Sequence, residues 1–252
     1  MHLEDFDVDD LITCSRAFAS LGDGVTSMEQ IAARLTTYLQ TTLELHDGRP
    51  ACALVRLYKT HRLGDLPDDD RGFAERSAGE PLDPTTSCLT LLGTAGAERP
   101  WNDRRQSKRH QAIPLTNVDS VERSPMIIQL IRQFGLDVAD VVRPARAMKI
   151  ERHHEQFNVF YVPEAAGSPS VPAQHDFVMP YGIRSVVGCG GLLPDGELFA
   201  VIFFMVVPVS EHTADLFRSL ALSVKSALVP FTFKVFAATD EPGAAAMTGV
   251  PR

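Results

Sequence analysis

The segment Leu198-Phe-Ala-Val-Ile-Phe-Phe-Met-Val-Val-Pro-Val209 constrains the fold more than any other stretch. At about 12 residues it falls well short of the roughly 20 that a membrane-spanning helix needs. It is rich in β-branched and aromatic side chains and contains Pro208, so it reads as a buried strand. Its partner is Arg184-Ser-Val-Val-Gly-Cys-Gly-Gly-Leu-Leu193, joined to it through the turn Pro194-Asp-Gly-Glu197.

Around this hairpin the periodicity alternates between helix and strand. Leu11 to Leu21 suits a short helix ended by Gly22-Asp23-Gly24. Ser27, three residues before Gln30, caps a second helix over Met28 to Leu45. Met28, Ile31, Leu35, Leu39 and Leu43 form its apolar stripe. Ala51 to Tyr58 and Cys88 to Leu92 have strand character. Asp65 to Pro84 reads as a polar loop with a short helix. Ala112 to Leu115 is a short strand, Val121 to Phe134 an amphipathic helix, and Phe157 to Val162 another strand. Ser210 caps a last helix, Glu211 to Leu228, whose apolar surface exceeds what one sheet face needs. Some of that surface should meet the N-terminal helix or a second chain, which predicts a homodimer. Leu54, Leu57, Leu91, Val186, Val201 and Phe203 are the expected core of the sheet. The order lacks regular βαβ alternation and gives an α+β fold, a central antiparallel sheet flanked by helices with the terminal helices packed together.

Composition narrows the function. The 252 residues carry 24 basic and 32 acidic side chains, a net charge of −8, which disfavours a general nucleic-acid binder. No run is long enough to span a bilayer, and the acidic N-terminus lacks the basic region of a signal peptide. Cys14, Cys52, Cys88 and Cys189 are widely spaced, without zinc or haem-attachment spacing, and read as reduced and buried in a cytoplasmic protein.

The chemical motifs each admit a plain reading. Gly188-Cys-Gly-Gly191 lacks the Gly-x-x-x-x-Gly-Lys spacing of a phosphate loop and lies within a strand. There glycines mark either close packing or a strand kept bare beside a ligand cavity. Cys189 has no adjacent cation except Arg184, so its thiol reads as inert core. His153-His154 and His175 could ligate a metal with Glu151 or Asp176, but adjacent histidines on a strand point to opposite faces, and a solvated charged face is the simpler reading of Glu151 to Glu155. A haem held by His110 or His175 stays open, because axial ligation needs no spacing motif. Arg99, Arg104, Arg105, Lys108, Arg109 and His110 around Trp101 either attract an anionic ligand or acidic partner, or form a solvated loop. No nucleophile elbow, His-Glu-x-x-His, kinase or Walker signature occurs, which argues against an enzyme.

Several stretches carry a resemblance. They are Ala51 to Thr60 with Gly64-Asp65-Leu66, Cys88 to Gly96, His110 to Leu115 and Pro125 to Gln133. The series continues with Asn158 to Glu164, Pro180 to Ser185 and Gly190 to Gly196. Together they resemble a GAF domain, in particular the GAF-like N-terminal sensory region of bacterial histidine kinases and PP2C-type phosphatases. The resemblance covers residues 8–231 as one sensory domain and leaves 232–252 as a flexible tail. It implies a cytoplasmic signal-transduction module that binds a small molecule, signals through a dimeric helical interface, and has a kinase or phosphatase as output partner. It names no ligand. The alternatives are a scaffold for dimerisation or docking and a small enzyme with an unrecognised site.

In GAF domains the ligand lies over the central strands beneath the long insert, here about Leu115 to Phe157. The resemblance thus brings Phe160 or Tyr161, Phe177, Tyr181 and Arg184 to a pocket, with Cys189 on the strand beside it. Aromatic walls would supply apolar contact, and Arg184 would receive a carboxylate or phosphate. The plainer alternative pairs Arg184 with Asp176 or Glu164 and leaves the aromatics as core filling.

Overall fold

A computed structural model describes residues 1–143 and 158–237. Three helices belong to one side of the molecule: α1 (Val8–Leu21), α2 (Met28–Thr42) and α7 (Glu211–Leu228). The strands are β1 (Cys52–Arg62), β2 (Ser87–Gly96), β3 (Ala112–Leu115), β4 (Asn158–Val162), β5 (Ser185–Leu192) and β6 (Leu198–Met205). They form one antiparallel sheet in the order β3-β2-β1-β6-β5-β4. Helix α3 (Asp68–Ala78) lies between β1 and β2 in sequence, and α4 (Val118–Glu122), α5 (Pro125–Gln133) and α6 (Val138–Val142) follow β3.

Alternation along the strands divides the core in two. Val55, Leu57, Val201 and Phe203 face α1, α2 and α7. Leu54, Tyr58, Ala200, Ile202 and Phe204 face the opposite way, toward α4 to α6. The β6 run is apolar without interruption because both of its faces are covered. All six residues expected in the sheet core are buried. The terminal helices α1 and α7 pack together, as expected, with Ser15 and Ser223 hydroxyls 2.6 Å apart. Helix α2 lies against β2 at Gly93, where an added Cβ would be 2.4 Å from the Ala32 carbonyl oxygen. Only a glycine allows that approach.

Several expected boundaries shift. The helix expected over Val121 to Phe134 is two helices, because Ser124 (φ −111°, ψ 86°) precedes Pro125 and leaves helical geometry. The strand expected to reach Val209 stops at Met205, since the Val206 N–H donates to the Ala51 carbonyl rather than continuing the ladder. β1 runs on through Lys59, His61 and Arg62. Its charges are tolerated because the buried Lys59 ammonium lies 3.2 Å from Asp195 in the β5–β6 turn, while Thr60 donates to Glu197.

The domain extends past both ends of the expected 8–231 span. Leu3 and Phe6 are buried, and the carbonyls of Lys234 and Val235 accept from the first amides of α2, Met28 and Glu29, at 2.8 Å each. Residues 232–237 are therefore part of the folded unit rather than the expected tail, whose remainder, 238–252, lies outside the described residues. No helix among the described residues is long and apolar enough to cross a membrane.

Candidate functional site on the second sheet face

The face turned toward α4 to α6 has two unlike halves. Over β5 and β4 it is filled. Gly188 leaves room for Ile202 and Phe160, which would lie 2.8 and 3.2 Å from an added Cβ, and Gly190 leaves room for the Phe134 ring at 2.7 Å. The glycines noted in the sequence thus serve packing, not a bare strand beside a cavity.

Over β1 and β2 the face is built differently. The 3-10 turn Arg99–Asn102 folds back onto β2, where Asn102 accepts from the Gly96 N–H (3.0 Å) and donates to its carbonyl (3.1 Å), and Thr94 donates to the Trp101 carbonyl (2.9 Å). These bonds lay Trp101 over Gly96, with its ring 2.9 Å from where a Cβ would stand. Trp101 packs on Tyr181 and Phe177, with ring centres 4.5 and 5.5 Å away, and Phe177 meets Phe204 edge-on at 5.0 Å. The Tyr181 hydroxyl donates to Glu98 at 3.3 Å. Trp101, Phe177 and Tyr181 are only half-buried.

Arg56 stands on this face, between Leu54 and Tyr58 on β1 and opposite Thr94 of β2 and Ile202 of β6. It is half-buried. One of its terminal nitrogens donates weakly to the Tyr58 hydroxyl at 3.4 Å, and its buried Nε has no hydrogen-bond partner among the described residues. No described carboxylate lies within ion-pair distance of it. His110, half-buried nearby, has its pKa pushed down to about 4, mainly by burial and then by the charges of Arg56 and Arg109. Its ring is therefore neutral at pH 7.

The residues expected to form the pocket are divided between surroundings. Phe160, Phe177 and Tyr181 belong to this face, with Phe160 sealed in its filled half. Adjacent residues of a strand point oppositely, so Tyr161 faces α7 and its hydroxyl donates to the Val209 carbonyl. Cys189, between two glycines of the second face, likewise points to the first, where burial raises its thiol pKa. Arg184 is exposed and pairs with neither Asp176 nor Glu164; among the described residues only its backbone is engaged, with Met205 and Ala165. A solvent-open depression of about 380 Å³ beside β4, lined by Gln129, Tyr161, Pro163, Glu164 and Ser170, touches just one of the expected aromatics.

The basic cluster also divides. Arg104 is buried and binds both oxygens of Asp70 (2.9 and 3.1 Å) as well as Glu29, with Gln111 donating to Asp70 at 2.7 Å. It is an internal tie, while Arg99, Arg105, Lys108 and Arg109 are exposed. His175 is exposed on a π-turn, and His153 and His154 lie outside the described residues. Among the described residues no group of three His, Cys, Asp or Glu side chains is arranged to hold a metal ion. Arg56 escaped the sequence reading, although it is the only charged residue in Ala51 to Tyr58.

No family profile matches the chain, and no curated protein matches it. Solved structures similar to it include the phycocyanobilin-bound GAF domain of a cyanobacterial phytochrome (12% identity, 88% of this chain and 96% of that one, TM-score 0.46). The GAF domain of an Acinetobacter phosphoenolpyruvate-protein phosphotransferase is also similar (9% identity, 88% and 94% coverage, TM-score 0.46). So is that of the corresponding Coxiella burnetii protein (10% identity, 89% and 96% coverage, TM-score 0.46). Similarity of this degree says nothing of what the chain binds.

Proposed function

We propose that this chain is a cytoplasmic sensory module without a catalytic step of its own, which binds a small molecule on the second sheet face over β1 and β2. The observation that carries this reading is the contrast between the two halves of that face. One is closed by Phe160 and Phe134 against glycines, while the other keeps Trp101, Phe177 and Tyr181 half-exposed around polar groups. Aromatic walls with a few convergent polar groups are the usual make-up of a small-molecule site. Native mass spectrometry of the purified protein tests it. A copurified organic molecule, displaced when Trp101→Ala is introduced, is the expected result. A ligand-free chain whose Trp101 fluorescence ignores a metabolite library would remove the reading.

Occupancy would pass through the sheet to the α1–α7 pair, and from there to a second copy and an output partner such as a histidine kinase or phosphatase. Val8, Ile12 and Leu222 support this route, since they are 60, 42 and 53% exposed on those two helices. Leu220, by contrast, is buried core, so Leu222→Glu is the variant that probes the surface. Sedimentation at micromolar concentration should report a dimer that Leu222→Glu dissociates. A monomer in both forms would remove the dimeric relay and, with it, a scaffold that serves dimerisation.

A further inference from the structure

Among the described residues the fold neutralises its fully buried lysine and arginine. Lys59 has Asp195, and Arg104 has both Asp70 and Glu29. Arg56 has no ion-pair partner among the described acidic residues, although the net charge of −8 leaves carboxylates in surplus. Its surroundings are a hydroxyl (Tyr58), a neutral imidazole (His110), a threonine (Thr94) and the apolar Ile202. A half-buried guanidinium with an idle Nε is costly to keep, and a cation in such a place is best satisfied by an oxyanion. Its donors match the paired oxygens of a carboxylate or phosphate.

We infer that Arg56 receives the anionic oxygen group, carboxylate or phosphate, of a ligand whose flat apolar body lies against Trp101 and Tyr181. This rests on the second face being the ligand side. Trp101 lies on β2 next to the Arg56–Thr94 row, so head and body of one small molecule reach both. The Tyr58 hydroxyl, which already accepts from Arg56, and the Thr94 hydroxyl stand on the same face. Exposed Arg109, whose charge reaches His110, adds to the positive field.

Trp101 is the sole tryptophan, so its fluorescence reports this site directly. The probes are phenylacetate, phenyl phosphate, the neutral phenylacetamide and inorganic phosphate, titrated into the wild type, Arg56→Gln and Arg56→Lys. Phenylacetate or phenyl phosphate should give a saturable response, and whichever does identifies the oxyanion. Phenylacetamide and inorganic phosphate should each bind at least ten-fold more weakly than the responding anion. Arg56→Gln should lose ten-fold or more in affinity, with Arg56→Lys in between. Free Arg56→Gln should also melt no lower than wild type, because it sheds an unpaired cation; a structural arginine would give the opposite. Equal binding of phenylacetate and phenylacetamide, unchanged in Arg56→Gln, would overturn the charge assignment and leave the ligand face standing. Inorganic phosphate binding as tightly as phenyl phosphate would overturn the apolar body. No response to any of the four would overturn the inference and the face reading together.

Discussion

His61 and His110 are both held neutral in the folded chain. His110 is pushed down to about 4 by burial, then by Arg56 and Arg109; His61 is pushed well below its ordinary value by burial, then by Lys59. In the unfolded chain both return to about 6.5. As pH falls below that value the unfolded state takes up protons first, so stability present above pH 6.5 is lost on the way toward 4. The melting temperature should fall between pH 6.5 and 5, with His110 contributing up to about 2 kcal/mol over that interval and His61 acting in the same direction. His110→Gln should flatten part of the profile, and a pH-independent melting temperature in the wild type would contradict both assignments. At this scale the sequence was misleading in an instructive way. Arg184 drew notice because it stands near aromatic residues in the chain, yet its side chain is exposed. Arg56 lies far in sequence from Trp101 and His110, and only the β1–β2 register brings them to one face.

Gly93 decides how closely α2 can approach the sheet. An alanine there would put its Cβ 2.4 Å from the Ala32 carbonyl oxygen and 2.9 Å from the Ala33 nitrogen, both backbone atoms of the helix. The helix must shift as a body, so Gly93→Ala should cost about 3 kcal/mol. Gly22→Ala, whose nearest new neighbour is 3.9 Å away, should change stability by less than about 0.5 kcal/mol. Urea unfolding of the two variants checks the contrast, and equal midpoints would refute the close approach. Elements whose rules are local were readable: the capped start of α2, all of α7 and the turn of the β5–β6 hairpin fall where apolar spacing and turn residues place them, although α2 ends at Thr42 rather than Leu45. The far end of β1 was not, because Lys59 and Thr60 find their partners, Asp195 and Glu197, more than 130 residues away. Pro125 was a readable break overridden by the stronger apolar periodicity around it.

For the whole molecule, the packing of α1 on α7 followed from their apolar surplus, while the strand order β3-β2-β1-β6-β5-β4 has no local signature. The role of the last described segment also had none, since Thr232 to Ala237 holds its place through the Lys234 and Val235 carbonyls and through Phe236, which packs on His61 and Arg104, all distant in sequence. Removing everything after Phe231 would leave the Met28 and Glu29 amides without their partners Lys234 and Val235. The truncated chain should lose at least about 2 kcal/mol, the net figure for the two lost hydrogen bonds, with the loss of the Phe236 contacts adding to it. Calorimetry of the two lengths would show it, and an unchanged melting temperature would make the contacts incidental. At the other end of α2, the Met1 carbonyl accepts from Glu44 and the Leu3 amide donates back to the Glu44 carbonyl, just beyond the helix. The first residues and the 232–237 segment therefore grip opposite ends of one 15-residue helix, about 22 Å long, seated on β2. A pull applied across those ends would load α2 lengthwise and be resisted in shear by its whole contact with the sheet, a mechanically stiffer arrangement than one in which strands peel away bond by bond.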